Sequence, residues 1–181
     1  MRELVGALVL GAAVVVPLVS WRIRYGHWRA TRVADLVDGM RVKVRGTVEL
    51  LGRPLQAPFM DLDCVAYEIW REDPPRAGEA AWHTRGQDFM LREPGGETVL
   101  VRVEERFDLH GGISVSYFDD EGFLDGRALV PGTRAVVVGV AVREPAAAGD
   151  GASYREPPRR WTISGTAAHP LVIVAQTKRR G

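Results

Sequence analysis

Residues 40–50 alternate without a break. Met40, Val42, Val44, Gly46, Val48 and Leu50 fall on one side, and Arg41, Lys43, Arg45, Thr47 and Glu49 on the other. Successive side chains of an extended strand point to opposite faces, so this register fits a half-buried antiparallel strand and not a helix. The same period of two recurs at 64–71 (Val65, Tyr67, Ile69), 89–91, 98–104 (Val99, Val101, Val103) and 113–117. Residues 134–143, RAVVVGVAVR, are nearly all apolar and predict a central strand buried on both faces. Gly139 within that run predicts a bulge or sharp bend. Residues 161–165 and 171–176 complete the set, while 73–86 and 144–160 read as exposed loops. Seven or eight short strands, separated by turn signals such as Gly52-Arg53-Pro54 and Pro94-Gly95-Gly96, predict a mainly β fold: a small barrel or sandwich.

A second feature precedes this pattern. Residues 4–21, LVGALVLGAAVVVPLVSW, carry no charge. As a helix they reach roughly 27 Å, enough to cross a bilayer. Trp21 stands where an interfacial aromatic belongs. A cleaved signal peptide is the rival reading, but Met1-Arg2-Glu3 is weakly basic and no small-x-small site follows the apolar run. The expected fold class is therefore an N-terminal transmembrane helix followed by a small β-barrel or sandwich domain. The expected division is an anchor at 1–24, a short amphipathic helix or linker at 25–39, a β domain at 40–177 and a basic tail at 178–181. Val33, Leu36 and Val37 at helical spacing, stopped by Gly39, suggest the short helix. Arg22, Arg24, Arg29 and Arg32 after the span place the body in the cytoplasm, with the periplasm as the alternative. The implied localisation is a single-pass membrane protein with the lipid bilayer as a partner.

Hydrophobic residues at 46% and charged residues at 26% are ordinary for a globular chain and exclude wholesale disorder. With 24 Lys and Arg against 23 Asp and Glu, the net charge of +1 weighs against nucleic acid as a partner. One cysteine, Cys64, rules out a disulfide within the chain and any zinc site built on paired cysteines. His27, His83, His110 and His169 are scattered, with no HExxH spacing. No nucleophile elbow, Walker loop or dinucleotide fingerprint is present. Gly95-Gly96 and Gly111-Gly112 read as turns, and Asp119-Asp120-Glu121 as a solvated loop. Cys64, at the head of an apolar strand, reads as a small buried residue. No catalytic residue, cofactor-binding residue, cofactor or metal ligand is assigned.

Three groups of residues carry a family resemblance: Val44-Arg45-Gly46-Thr47-Val48, then Pro54-Leu55-Gln56-Ala57-Pro58, then Cys64-Val65-Ala66-Tyr67. The stretches DFMLREPGGETVLVRV (88–103) and LVPGTRAVVVGVAV (129–142) follow in order. This succession, over residues 31–176, resembles the GIDE or "beside a membrane" (BAM) domain of bacterial membrane proteins and mitochondrial ubiquitin ligases. The resemblance implies a membrane-tethered domain and an E3 ubiquitin ligase-type label. A RING needs paired Cys and His ligands that one cysteine cannot supply. The main expectation is thus a membrane-anchored, non-catalytic binding or sensing module for a peptide, lipid or protein partner, contacting it through the loops at 73–86 and 144–160. One alternative is a ubiquitin transferase dependent on Cys64. The other is a barrel that binds single-stranded nucleic acid, with Tyr67, Trp70, Phe89 or Tyr117 stacking beside Arg41, Lys43 and Arg45.

Overall fold

A computed structural model describes residues 29–58, 60–71, 82–104, 106–119, 122–145 and 159–176. Among them the strands are β1 (Arg41–Leu50), β2 (Leu55–Ala57), β3 (Leu62–Cys64), β4 (Ala66–Arg71), β5 (Trp82–Gly86), β6 (Phe89–Arg92) and β7 (Thr98–Val101). They continue with β8 (Phe107–His110), β9 (Ile113–Asp119), β10 (Gly122–Leu129), β11 (Arg134–Pro145), β12 (Arg159–Ser164) and β13 (Leu171–Gln176).

Five of these close on themselves. β1 pairs antiparallel with β6, β6 with β7, and β12 with β11, while β7 and β12 run parallel. β11 then returns to β1, with Arg41 opposite Val140 and Thr47 opposite Arg134. Counting only these five in chain order, the ring runs first, second, third, fifth, fourth and back to the first. That is a closed five-stranded barrel of the OB-like kind.

The remaining strands, apart from β13, which follows the last barrel strand, are insertions into it. β2–β5 lie between β1 and β6, and β8–β10 between β7 and β11. The two insertions meet as a second sheet of order β5-β4-β10-β9. β13 and β8 extend the barrel wall beyond β11, β13 antiparallel to β11 and β8 parallel to β13.

The alternation read in the sequence decides which side chains go inside. Val42, Val44 and Val48 of β1 are buried in the barrel with Phe89, Leu91, Val99, Val101, Val137 and Ile163. Each large apolar side chain removed from water contributes about 1.5–3 kcal/mol. Ala66 and Leu129, from the second sheet, reach into the same core and fuse the two layers. A second cluster, with Cys64, Tyr67, Ile69 and Ala128 packed against Ala57 and Met60, lies between the second sheet and the β2–β3 hairpin. β11 is buried from Ala135 to Val138, as its apolar run predicts. Val136 and Val138 point out of the barrel and pack with Val172 and Val174 of β13. Gly139 is needed for close approach: a Cβ there would sit 2.6 Å from the Ser164 carbonyl oxygen and 2.7 Å from Ile163 Cγ2.

Several expectations need correction. No helix among the described residues is long and apolar enough to cross a membrane. The anchor placed at 1–24 falls outside those residues. Among the described residues the fold is accordingly a mainly β barrel with a second sheet and no membrane-spanning helix, and the single-pass localisation is not retained. The amphipathic helix expected at 25–39 is reduced, in its described part, to a 3-10 turn at Val33–Asp35. Val33 and Leu36 are buried but Val37 is 60% exposed, so helical spacing there reflects two anchor points and not an apolar stripe. The loop expected at 73–86 ends in strand β5, and that at 144–160 is bounded by the ends of β11 and β12; their middles lie outside the described residues. β2, β3, β5, β8 and β10 were not expected as separate strands; they lack a long clean alternation and are held by tertiary pairing.

Gly139→Val is expected to lower unfolding free energy by about 1–3 kcal/mol or more, through overpacking at the β11–β12 crossing. Gly52→Ala, with nothing within 4 Å of its Cβ, should be neutral or slightly stabilising. Urea denaturation of both variants checks the contrast.

Candidate functional site

Thr47 sits on the outer face of β1, opposite Arg92 of β6 on one side and opposite Arg134 of β11 on the other. Arg45, two residues back, shares that face by strand periodicity. Three arginines therefore surround one threonine, and all three are exposed. Arg41 continues the row along β1 and is exposed as well. Lys43 lies between Arg41 and Arg45 but is buried; burial first, and then the Arg45 charge, hold its ammonium below its usual value. Glu49 balances one of the arginines: Arg92 donates to both of its carboxylate oxygens, one at 3.0 Å, and this holds the carboxyl below its usual range. The chain's net charge near zero is a sum that hides this local excess.

Beside the row opens a cleft of about 670 Å³. Thr47, Arg134 and Gln176 form its barrel side, and Ile113, Pro131 and Thr133 line it further round. Ile113 is 41% exposed, and Tyr117, on the same face of β9, is 49% exposed. Four residues of strand separate them by about 13 Å. The cleft offers a guanidinium group, hydroxyl and amide groups and an apolar side chain, and Tyr117 presents an aromatic ring further along β9.

The outer face of β6, β7 and β12 is different. Met90, Leu100 and Thr162 stand side by side there, and Leu100 and Thr162 are buried. Arg102 makes a bidentate pair with Glu144, at 2.7 and 2.9 Å, and Thr162 also bonds that carboxylate. No aromatic side chain of β6, β7 or β12 lies on this outward register.

A buried polar joint links the second sheet to β8. Glu68 of β4 accepts the Leu109 N–H at 2.9 Å, and Arg127 of β10 donates to the Leu109 carbonyl at 2.9 Å. The two side chains are 3.6 Å apart, and the Arg127 guanidinium lies 4.5 Å from the centre of the Trp70 ring. Burial pushes the Glu68 carboxyl up; the Leu109 N–H and Arg127 pull it back, and Asp108 adds to the rise. His110 beside it is held below its usual value, first by burial and then by Arg127, against the pull of Asp108.

The residues singled out in the sequence are not brought together. Phe89 is in the barrel core and Tyr67 is buried, its hydroxyl 3.3 Å from His83 Nε2. Trp70 is half-buried against Arg127. Of the four aromatics, Tyr117 is the exposed one, on the same face of β9 as Ile113. Arg134, Thr47, Ile113 and Gln176 were missed, since only the barrel's closure makes neighbours of β1, β11 and β13. Cys64 is fully buried, with its thiol toward the Leu55 carbonyl, and burial pushes its pKa up to about 11, with Asp63 adding to the rise. A thiol in that state does not serve as a transferase nucleophile near neutrality, so the ligase-type reading is not carried forward. Of the acidic run, Asp120 and Glu121 lie outside the described residues.

No family model matches the chain, and no curated protein matches it. The resemblance to the GIDE domain rests on the quoted motifs alone. Among solved structures, the chain is similar to the N-terminal domain of an archaeal MCM, at 12% identity and a TM-score of 0.39. That match covers 82% of this chain and 62% of the other.

A carboxyl held above its ordinary value binds its proton more tightly in the folded chain, so acidification favours folding through Glu68. Arg127→Ala leaves Glu68 buried without its cation and should cost about 3–5 kcal/mol at neutral pH. The loss should shrink as the pH is lowered and Glu68 takes up a proton, which its raised pKa favours. Denaturant titrations at neutral and at acidic pH measure the difference.

Proposed function

We propose that this protein is a non-enzymatic binding module that holds single-stranded nucleic acid along the outer face of its barrel. The observation that carries the reading is the placement of Arg45 and Arg134 beside Thr47, with Thr47 and Arg134 lining the cleft, on a closed five-stranded barrel. Barrels of this connectivity bind oligonucleotides and oligosaccharides. Single strands are held by a cationic track for the backbone together with an aromatic surface for a base. Here Arg41, Arg45 and Arg134 supply the track and Tyr117 the surface. Thr47 and Gln176 add donors at the cleft's edge. The ion-paired face of β6, β7 and β12 takes no part, because Arg102 is committed to Glu144 and no ring is offered there. On this reading the net charge is a poor guide to a nucleic-acid partner, since what matters is where the arginines cluster.

Anisotropy of a labelled oligothymidylate titrated with the full chain tests this. Affinity should fall with salt, the logarithmic slope being about 0.7 per phosphate contact. Arg45→Glu with Arg134→Glu should flatten that slope by roughly 1.4 through two lost contacts. Tyr117→Ala should weaken binding by about 1–3 kcal/mol. Absence of binding at low salt, or binding indifferent to salt and to all three changes, overturns the reading.

A further inference from the structure

Beyond the two three-residue strands of the β2–β3 hairpin, three sheet edges are left open among the described residues: β8 at the end of the extended barrel wall, and β5 and β9 on either side of the second sheet. An open edge presents unpaired N–H and C=O groups and is a template for another strand unless it is blocked. β8 is blocked, because Glu68 and Arg127 occupy both backbone groups of Leu109 as a neighbouring strand would. β5 carries His83 and Arg85 within its five residues. β9 differs from both. It runs for seven residues, and 113–118 contain no charge and no proline.

We propose that β9 is a self-association edge, pairing antiparallel with β9 of a second copy of this chain about a twofold axis at Ser116. The proposal does not rest on the nucleic-acid reading, although both give Tyr117 a role. An isologous contact requires a strand compatible with itself run backwards. Centring the pair on Ser116 sets Val115 opposite Tyr117 twice, an aromatic against a β-branched side chain, which is a favoured cross-strand pair. Ser116 meets its own copy, and its hydroxyl, which donates to Asp125, lies on the face away from Val115 and Tyr117. No like charges come opposite one another from Val115 to Tyr117. A foreign strand would need to supply this match by its own sequence, whereas the second copy carries it already. The axis stands perpendicular to the sheet, so the Val115 and Tyr117 faces of both copies point the same way. The result is one continuous sheet of order β5-β4-β10-β9-β9-β10-β4-β5 with two clefts on one side.

Sedimentation of the full chain over micromolar to millimolar concentrations, together with cysteine crosslinking, tests the assignment. The expected result is a concentration-dependent doubling of mass, with Ser116→Cys captured as a covalent dimer by mild oxidation or a short bis-maleimide. Ser114→Cys should not be captured, since its partner in this register is not its own copy. The wild-type chain serves as the background, its Cys64 being buried. Tyr117→Lys should raise the dimer dissociation constant by about tenfold, because the symmetry counts each altered pair twice. Circular dichroism of each variant confirms that it folds. A chain that stays monomeric throughout overturns the proposal. So does a dimer in which Ser116→Cys fails to crosslink, or in which Ser114→Cys crosslinks equally well.

Discussion

Strand β11 is hydrogen-bonded along both edges. β1 occupies one edge from Arg134 to Val140, while β13 and then β12 share the other. Its side chains are also buried on both faces: Ala135 and Val137 point into the barrel, Val136 and Val138 away from it. A strand in this position cannot carry a charge or a bulky polar group along most of its length, because neither face meets water. It must also release one partner and take up another without interruption. Gly139 lies at that handover, where Ser164 and Ile163 come too close to admit any side chain. Barrel closure, the added wall of β13 and β8, and the row of arginines around Thr47 all follow from where β11 lies.

The second sheet depends on a different kind of contact. Its strands come from two insertions far apart in the chain, and it is tied to the barrel by apolar residues such as Ala66 and Leu129 and by the Glu68–Arg127 joint. The joint is polar because it satisfies backbone: Leu109 has β13 on one side but no strand on its outer side, and its N–H and C=O would otherwise be left without partners in a nearly dry place. A hydrophobic pair of similar size could fill the space but could not make those two bonds. Cation–π contact with Trp70 adds to the guanidinium's hold.

Much of the barrel could be read from the sequence. The alternation of residues 40–50 and the apolar run of 134–143 name β1 and β11 almost to the residue, because burial on one face or on two leaves a direct mark on composition. The inserted strands left weaker marks. β8 and β10 are short, or mix glycine and charge, and hold their shape through neighbours and not through their own pattern. The short helix expected before residue 40 shows the converse, since Val33 and Leu36 are spaced as in a helix yet are buried by a single turn. The cleft was the least legible part. Arg134 reads as the polar start of a buried strand, and nothing in its local sequence says that Thr47 and Gln176 stand beside it. Phe89 and Tyr67, which invite a stacking role as isolated aromatics, turned out to be needed for packing.

The bond network between β1 and β11 joins residues as distant as Arg41 and Val140. Loops of such length close slowly, and topologies dominated by them fold slowly for their size. On a ribosome adding roughly 5–20 residues per second, β1 waits several seconds for the strand that completes its ladder. During that interval its valine face and one of its edges are open to whatever else is nearby. The arginines and lysine on its other face keep the nascent segment charged until its permanent neighbour emerges. The alternating pattern that assigns the strand its place in the barrel therefore also guards it before the barrel exists.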